Sequence, residues 1–357
     1  MDSFESLAIW TSDFYYTGHG RYAATLMRVF PCSQHVYYQS GNFDIVSPYP
    51  NVSIITPTIG RSLPLSAEKY INRMLQKTIT RKFIQKHDVS LIHYTSQHDS
   101  PTFDTSIKEV VTIHDITAIK SDSHQMRDRI YNKQISGNIR KALELDDIVT
   151  VSSVTADEIR SLGYNGRLHV IHICTDPVFQ FTTDKVSLRK SLYLPIDKKI
   201  ILSVSSSSPR KNLAIVKNTL EILGDSYVLV RVGDGLGLKS EITFKNVDDL
   251  KLRDIYSAAD VLFFPSMEEG FGIPMIEAMA SGLPVVASNI PITKEILKDA
   301  GIFVSSYNAS EYAEAVIEAL NKKDYYVKKS LERSKEFSFE RLKENFVKFY
   351  SSMMITA

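Results

Sequence analysis

The chain has 357 residues, of which 43% are hydrophobic and 23% charged, and its formal net charge is +1. This length predicts about two domains, and the composition is typical of a folded protein with large apolar cores. A nearly neutral chain is not held on nucleic acid by a basic field, so we expect no nucleic-acid partner. The only cysteines, Cys32 and Cys174, have no metal-like spacing, which argues against a disulfide framework or a zinc site. An acidic start and the lack of a long apolar run predict a cytoplasmic protein.

In the first half, predicted strands alternate with predicted helices, as in a parallel α/β sheet. The strands cover residues 7–10, 36–39, 52–56, 91–95, 110–113, 148–152 and 169–173. After the first of them, Gly18-His19-Gly20 opens a helix and formally fits the dinucleotide-binding pattern G-x-G-x-x-A. The acidic residue that should close the second strand is absent, because Ser40 and Gly41 follow it. We therefore expect no dinucleotide cofactor.

Residues 66–87 predict a long helix with two opposite faces. Apolar residues recur every four positions at Ile71, Leu75, Ile79 and Phe83, and basic residues do so at Lys69, Arg73, Lys77 and Arg81. The two rows are offset by about 200° around the helix. Such a basic stripe could dock on anionic lipid headgroups or hold a phosphate-bearing acceptor. We favour a solvated outer face as the simpler interpretation, and peripheral attachment to the inner face of a membrane stays an open alternative.

Two strand ends carry side chains suited to ligand binding. The strand at 110–113 ends in His114-Asp115, at the carboxyl end where open α/β sheets bind ligands. The strand at 200–204 runs through four serines to Arg210 and Lys211, which precede a helix predicted for 212–223. The remaining predicted elements are strands at 227–232, 242–244 and 302–305, and helices at 250–258, 310–321, 324–335 and 339–354.

The stretch 259–288 predicts a strand–loop–helix–strand unit. A buried strand at 261–264 leads into a glycine-punctuated loop, and Pro274 fits the first turn of the helix that follows. Gly282 marks the end of this helix, and a second buried strand covers 283–287. Free N–H groups and the helix dipole make such a loop an anion site. Two carboxylates, Glu269 and Glu277, frame it, with G-F-G-I-P-M-I between them.

The run from Glu269, E-G-F-G-I-P-M-I-E-A-M-A-S-G-L-P-V, resembles the E-x7-E signature of the retaining glycosyltransferases of family 4. The runs V-V-T-I-H-D-I-T and G-H-G-R-Y resemble further elements of that family. The resemblance implies an α/β protein with the GT-B fold. A protein with this fold has two Rossmann-like, doubly wound parallel-sheet domains facing across a cleft, and a C-terminal helix that crosses back to the first domain. The expected domains are an acceptor-side domain, 1–178 with about 339–357, and a nucleotide-sugar-binding domain, 179–338.

The resemblance also implies roles for single residues. Arg210 and Lys211 would neutralise the leaving diphosphate, although Ser205 and Ser206 stand where many members carry another basic residue. Glu277 would accept hydrogen bonds from the nucleotide ribose, and Glu269 from the donor sugar. His114 would lie near the reaction centre. The remaining donor-binding candidates are Gly18 and Gly20 over the phosphates, and the N–H groups around Gly270, Phe271, Gly272 and Ile273.

The expected function is therefore a hexosyltransferase that moves a sugar from a nucleotide diphosphate sugar, GDP-mannose or a UDP-hexose, to an acceptor glycan or lipid-linked sugar. The sequence has no D-x-D, so we expect neither a metal nor a cofactor. The alternatives are a non-catalytic GT-B sugar-binding or partner subunit, and a GT-B phosphorylase or epimerase. A glycosidase that uses Glu269 and Glu277 as acid and base would have no use for Arg210 and Lys211.

Overall fold

Two parallel sheets with helices around them make up the computed structural model, which describes residues 4–13, 17–38, 52–55, 65–120 and 126–355. For the helical residues 65–74, 126–128 and 355, the structure describes the backbone and not the side chains. The chain divides into a first unit, residues 1–172 with 343–357, and a second unit, residues 173–342.

The first unit contains a seven-stranded sheet of order β3-β2-β1-β4-β5-β6-β7, and every pairing in it is parallel. Its elements are β1 (Leu7–Thr11), α1 (Gly18–Val29), β2 (Gln34–Tyr38), β3 (Ser53–Ile55), α2 (Leu65–Lys86), β4 (Leu91–Tyr94), β5 (Lys108–Ile113), α3 (Thr117–Lys120), α4 (Met126–Ala142), β6 (Asp147–Thr150), α5 (Ser153–Ser161) and β7 (Arg167–Val170).

The second unit contains a six-stranded sheet of order β10-β9-β8-β11-β12-β13, again with parallel pairings throughout. Its elements are α6 (Lys185–Ser191), β8 (Lys199–Val204), α7 (Leu213–Leu223), β9 (Tyr227–Val232), β10 (Glu241–Phe244), α8 (Asp249–Ala258), β11 (Val261–Phe264), α9 (Ile273–Ala280), β12 (Val285–Ser288), α10 (Pro291–Leu297), β13 (Gly301–Val304), α11 (Ala309–Asn321) and α12 (Lys323–Ser334); α13 (Phe339–Ile355) follows.

Both sheets reverse their winding direction once, and this reversal determines where ligands can bind. In the first sheet the reversal lies between β1 and β4, and in the second it lies between β8 and β11. At such a point the neighbouring connections leave in opposite directions, which opens a crevice beyond the carboxyl ends of the strands. The loops after these four strands are therefore the places to look for functional side chains.

The strands form where the sequence has short, continuous apolar runs. Every residue of β1 and of β11 is buried, including Trp10 and Phe263. Parallel strands covered on both faces have this pattern because neither face meets water. A buried ion pair adds a polar anchor in the second unit, where Asp260 accepts hydrogen bonds from Arg189 at 2.6 Å and Lys185 at 2.9 Å. Burial lowers the pKa of Lys185 to about 8.

The C-terminal helix α13 belongs mainly to the first unit, as the resemblance implied. The hydroxyl of Tyr350 lies 2.5 Å from Nδ1 of His93 in β4, and Lys108 in β5 donates to the carbonyl of Met353 at 2.5 Å. Phe346 packs against the ring of His93 with 5.8 Å between ring centroids. These contacts attach the returning chain to the face of the first sheet.

Most of the predicted elements are confirmed, one has wrong bounds, and some short elements were not predicted. The strand predicted at 169–173 is wrong in its bounds, because β7 covers Arg167–Val170. It is the last strand of the sheet and only partly buried, so its apolar residues do not mark its ends. Helix α10 was not predicted, since its seven residues are too few for a clear apolar period. A short 3₁₀ turn, Pro209–Lys211, precedes α7.

Candidate functional site

The loops after β8 and β11 are joined at the switch point of the second sheet. The N–H of Met267 donates to the carbonyl of Arg210 at 2.8 Å, which holds the two loops side by side. The 3₁₀ turn Pro209–Lys211 ends at Asn212 with φ of 53°, so the chain turns sharply there into α7. Both predicted basic residues therefore lie against the loop that carries Glu269.

Glu269 forms ion pairs with both basic residues in this structure. Nζ of Lys211 donates to its Oε1, and Nη1 of Arg210 donates to its Oε2 at 3.0 Å and to the carbonyl of Glu268 at 2.9 Å. The side chain of Glu269 is only 6% exposed and that of Lys211 only 11%. These three residues, which the sequence assigned to donor chemistry, thus form one ion cluster with a net positive charge, in which Lys211 and Glu269 are nearly buried and Arg210 is partly exposed.

The electrostatics of Lys211 reflect this burial. Burial lowers the pKa of the Lys211 ammonium, the charge of Glu269 opposes this shift, and the charges of Arg210 and Arg231 add to it. The ammonium also lies 5.6 Å from the ring centroid of Phe264, a distance at which a cation and an aromatic face attract. An additional anion would be stabilised here by three basic side chains.

Arg231 is a basic residue of this site that the sequence reasoning missed. It lies in β9, is fully buried, and donates to the Ser203 and Ser205 hydroxyls at 3.0 Å and to the Ser205 carbonyl at 2.8 Å. It therefore supplies positive charge beneath the serines that replace the family's usual basic residue. The only sequence signal for it was a lone arginine in the apolar run V-L-V-R-V.

The start of α9 has the geometry predicted for an anion site. Gly272, the residue before the helix, has φ of 95°, and a Cβ there would come within 2.4 Å of Cε of Met275. Pro274 occupies the first turn. The ring of Phe271 is buried and packs edge-on against Phe337 at 5.9 Å. Gly270, Phe271, Gly272 and Ile273 therefore form a fixed turn directly after Glu269.

Glu277 is separate from this ion cluster. It lies one turn into α9, is 2% exposed, and its Oε2 accepts a hydrogen bond from the hydroxyl of Tyr256 at 2.8 Å. Tyr256, in α8, is itself fully buried and packs edge-on against Phe179 at 5.7 Å. The E-x7-E motif thus holds one carboxylate among cations and the other against a tyrosine hydroxyl.

His114 lies at the carboxyl end of β5 in the first unit. Its backbone N–H donates to Oε1 of Gln97 at 3.0 Å, and its Nε2 lies 2.9 Å from the carbonyl of Thr95. Because a carbonyl can only accept, Nε2 carries the proton and Nδ1 is the unprotonated nitrogen. Burial, and then the charge of His19, lower the pKa of His114 well below its ordinary value. The ring is therefore neutral and has a fixed tautomer.

Gly18 and Gly20 form the first turn of α1. The hydroxyl of Thr17 accepts a hydrogen bond from the N–H of Gly20 at 3.0 Å and so caps the helix. His19 between them lies with its ring centroid 4.3 Å from that of His114. The glycine turn and His114 thus lie together at the switch point of the first sheet.

A third group at this switch point was not predicted. Oδ1 of Asp13, after β1, lies 2.5 Å from Nδ1 of His98, after β4, and 3.8 Å from Nδ1 of His19. Ser96 donates to the other oxygen of Asp13. Burial opposes ionisation of Asp13, but the charge of His98 and a hydrogen bond from His19 hold its pKa well below the usual range.

Comparison with known proteins identifies relatives of this chain. Residues 184–338 match the model of the family described as Glycosyl transferases group 1. The O-antigen chain mannosyltransferase RfbU of Salmonella typhimurium is 27% identical over 297 residues, which cover 78% of this chain and 77% of that protein.

Two solved structures resemble the chain over nearly its whole length. Sucrose-phosphate synthase from Thermosynechococcus elongatus has a TM-score of 0.82 at 18% identity, covering 98% of this chain and 99% of that one. HepE from Anabaena, solved in complex with UDP, has a TM-score of 0.75 at 16% identity, covering 97% and 100%. With the two parallel sheets, this likeness confirms the expected GT-B fold class. Within the described residues, no helix is long and apolar enough to span a bilayer.

Proposed function

We propose that this chain, whose residues 184–338 match the glycosyl transferases group 1 family, moves a hexose from a nucleotide diphosphate sugar to an acceptor hydroxyl with retention of configuration. The observation that carries the proposal is the ion cluster of Arg210, Lys211 and Glu269 beside the start of α9. It combines two cations, the N-terminal end of a helix and one carboxylate, as transfer from a sugar diphosphate requires.

The donor diphosphate would replace Glu269 as the counter-ion of Lys211 and Arg210. A diphosphate ester carries more than one negative charge, so it competes well with a single carboxylate for two cations. The planar guanidinium can bind two phosphate oxygens side by side, and the ammonium acts as a point charge. Displaced from the cations, the Glu269 carboxylate is a hydrogen-bond acceptor for sugar hydroxyls. Glu277 would bind the ribose in the same way.

In the transfer itself, the bond between the anomeric carbon and the phosphate oxygen breaks while the acceptor oxygen bonds to the same face of that carbon. The acceptor proton passes to the leaving phosphate oxygen, so no further base is needed. The cations stabilise the charge that develops on the leaving group. We propose that His114, with its neutral ring, accepts a hydrogen bond at Nδ1 near this centre. Gly18 and Gly20 would cover the phosphates.

GDP-mannose is the donor we favour, with a UDP-hexose as the second choice. The support for mannose is the mannosyltransferase RfbU, and the support for uridine is the UDP complex of HepE. We propose a glycan or lipid-linked sugar as acceptor, a role in polysaccharide synthesis, and the cytoplasm as the place of action. Because Arg210, Lys211 and Arg231 supply positive charge, we propose that no divalent cation is needed at the diphosphate.

A nucleotide-sugar screen tests this function. GDP, UDP and their common sugar conjugates would be compared by thermal stabilisation of the protein and then by release of free sugar, with Mg²⁺ or with EDTA. We expect one base to stabilise clearly, its matching sugar to be hydrolysed slowly, and the nucleotide affinity to change less than about twofold with EDTA. If no nucleotide binds, the proposed function is wrong. Binding without turnover of any conjugate would favour the non-catalytic subunit.

Attachment of α2 to membranes is a separate question. Lys77 lies 5.2 Å from the ring centroid of Phe103, and Arg81 donates to the carbonyl of Thr102 at 3.0 Å. Both basic side chains thus contact the loop after β4, so they have partners within the protein and do not form a free stripe for lipid headgroups. The side chains of Lys69 and Arg73 are outside the described part of the chain.

We therefore expect the protein to bind weakly to vesicles of anionic lipid, and the charge reversals Lys69→Glu and Arg73→Glu to leave its sedimentation with them unchanged. A charge-matched control reverses two exposed lysines of the second unit's C-terminal region, Lys322 and Lys328. Release from vesicles by the first pair and not by the second would show that α2 is a membrane-binding helix.

A further inference from the structure

The switch point of the first sheet brings together a carboxylate and two imidazoles from three separate segments. Asp13 follows β1, His19 lies in the first turn of α1, and His98 follows β4. One ligand atom from each lies within 4.8 Å of the other two. The proposed sugar transfer assigns no role to Asp13 or His98, so this cluster needs its own explanation.

The ligand set suits one class of ion. Two imidazole nitrogens and one carboxylate oxygen are typical of zinc and other first-row divalent metals, whereas Mg²⁺ and Ca²⁺ prefer oxygen ligands alone. Bonds of about 2.1 Å in a tetrahedron place ligand atoms roughly 3.3 Å apart. The separations here are 2.5 Å between Asp13 and His98, 3.8 Å between Asp13 and His19, and at most 4.8 Å for the remaining pair, so they lie on both sides of that value. Only small side-chain movements would be needed.

The neighbours of the ligands also fit a metal site. Ser96 donates to one oxygen of Asp13, and the other oxygen, Oδ1, is the one that faces the two imidazoles. Nε2 of His98 lies 3.0 Å from the hydroxyl of Tyr131 in α4. If an ion binds at Nδ1, the ring proton moves to Nε2 and is donated to Tyr131. Ligand histidines commonly donate their second N–H in this way, which fixes the ring.

We propose that Asp13, His19 and His98 bind a divalent transition-metal ion, with Zn²⁺ the ion of best fit. Three protein ligands leave the fourth position open to water or to a hydroxyl or phosphate oxygen. The His19 side chain is 24% exposed and that of His98 is 16% exposed, so the site can be reached from solvent. His114 is a neighbour of the cluster, since its ring centroid lies 4.3 Å from that of His19.

This inference goes beyond the proposed function, which places no ion at the donor diphosphate. The ion would join the segments after β1 and β4 and present a charge at the sheet edge of the first unit. Its test uses metal binding and thermal stability, without nucleotide or sugar, so a negative result leaves the sugar-transfer proposal unaffected.

The test titrates Zn²⁺ into the full-length protein, freed of metal by EDTA and desalting, in competition with a coloured chelator. We expect one ion to bind per chain with submicromolar affinity, and Mg²⁺ not to compete. His98→Gln and Asp13→Asn should each weaken binding at least about 100-fold, since loss of even an outer hydrogen-bond partner typically costs 10- to 100-fold. His87→Gln is the matched control, because His87 stacks on Phe83 at the end of α2, away from the cluster.

A second variant and a second readout distinguish a specific loss of zinc binding from misfolding of the variants. Tyr131→Phe keeps all three ligands and removes only the hydrogen-bond partner of His98, so it should weaken zinc binding by about 10- to 100-fold. In the native protein, zinc at about 100 times its dissociation constant should raise the Tm of the first unit by roughly 5–10 °C. Failure to bind zinc, or equal zinc affinity in His98→Gln and the native protein, would overturn the proposal.

Discussion

Lys211→Ala should lower the rate of sugar transfer about 100- to 1000-fold and weaken nucleoside diphosphate binding, while the protein stays folded. The ammonium is nearly buried and is held in place by Glu269 and by the ring of Phe264. Because this charge is shielded from solvent, its removal should destabilise a bound anion far more than removal of an exposed lysine would. The loss should appear in kcat as well as in KM because the charge on the leaving phosphate grows in the transition state.

Glu269→Ala should give a different combination of effects. Its carboxylate competes with a diphosphate for Lys211 and Arg210, so its removal should leave nucleoside diphosphate affinity equal or higher. Transfer should still fall by at least about 100-fold because the sugar hydroxyls lose their acceptor. Nucleotide affinity measured by calorimetry, together with initial rates, separates the two variants.

The control for both variants is Lys322→Ala, an exposed lysine paired with Glu318 one turn away. It should have native activity, since exposed pairs contribute little. Full transfer activity in Lys211→Ala or Glu269→Ala would show that the ion cluster is not the donor site. Weaker nucleotide binding in Glu269→Ala would show that this carboxylate does not compete with the diphosphate.

The donor-side elements could be predicted because their signals are local in sequence. Glu269, Glu277 and the glycine turn lie within ten residues of one another, and the apolar runs around them fix the strands. The pairing of Glu269 with Lys211 could not be predicted in the same way. It depends on how two loops distant in sequence lie after β8 and β11.

The parts that sequence reasoning missed are contacts between distant segments. Asp13 and His98 are 85 residues apart, and neither is part of a recognisable motif. Cysteine spacing and a D-x-D motif are local signals of metal binding, and neither indicates a group assembled across a sheet edge. Arg231 was missed for a related reason. Its burial is explained by hydrogen bonds to the carbonyls of Ser205 and Ser206, which lie on a different strand end and cannot be assigned from the sequence.

His93 should make the first unit sensitive to acid. It is fully buried in β4, and burial lowers its pKa to about 3 from the ordinary 6.5. Below pH 6.5 the unfolded chain takes up a proton at this residue and the folded chain does not, so the free energy of unfolding falls as the pH falls. Between pH 6.5 and pH 4 this residue alone should remove about 3 kcal/mol, at about 1.4 kcal/mol per pH unit.

His93→Gln should remove this sensitivity. Glutamine can still donate and accept hydrogen bonds toward Tyr350 and Thr112, the two partners of the imidazole, but it does not take up a proton. At pH 7 we expect the variant to be less stable than the native protein by about 1–2 kcal/mol, because the fit to both partners is imperfect. As the pH falls toward 4, that deficit should shrink and then reverse.

Trp10 makes the measurement specific to the first unit. It is the only tryptophan of the chain and is fully buried in β1, so its fluorescence in urea titrations reports unfolding of this unit and not of the second. Such a probe is needed because a chain of two units need not unfold in one step. His87→Gln, which changes a histidine outside the core, is the control for the substitution itself. Parallel stability curves for the native protein and His93→Gln between pH 7 and pH 4 would mean that His93 takes up its proton in the folded state as readily as in the unfolded one.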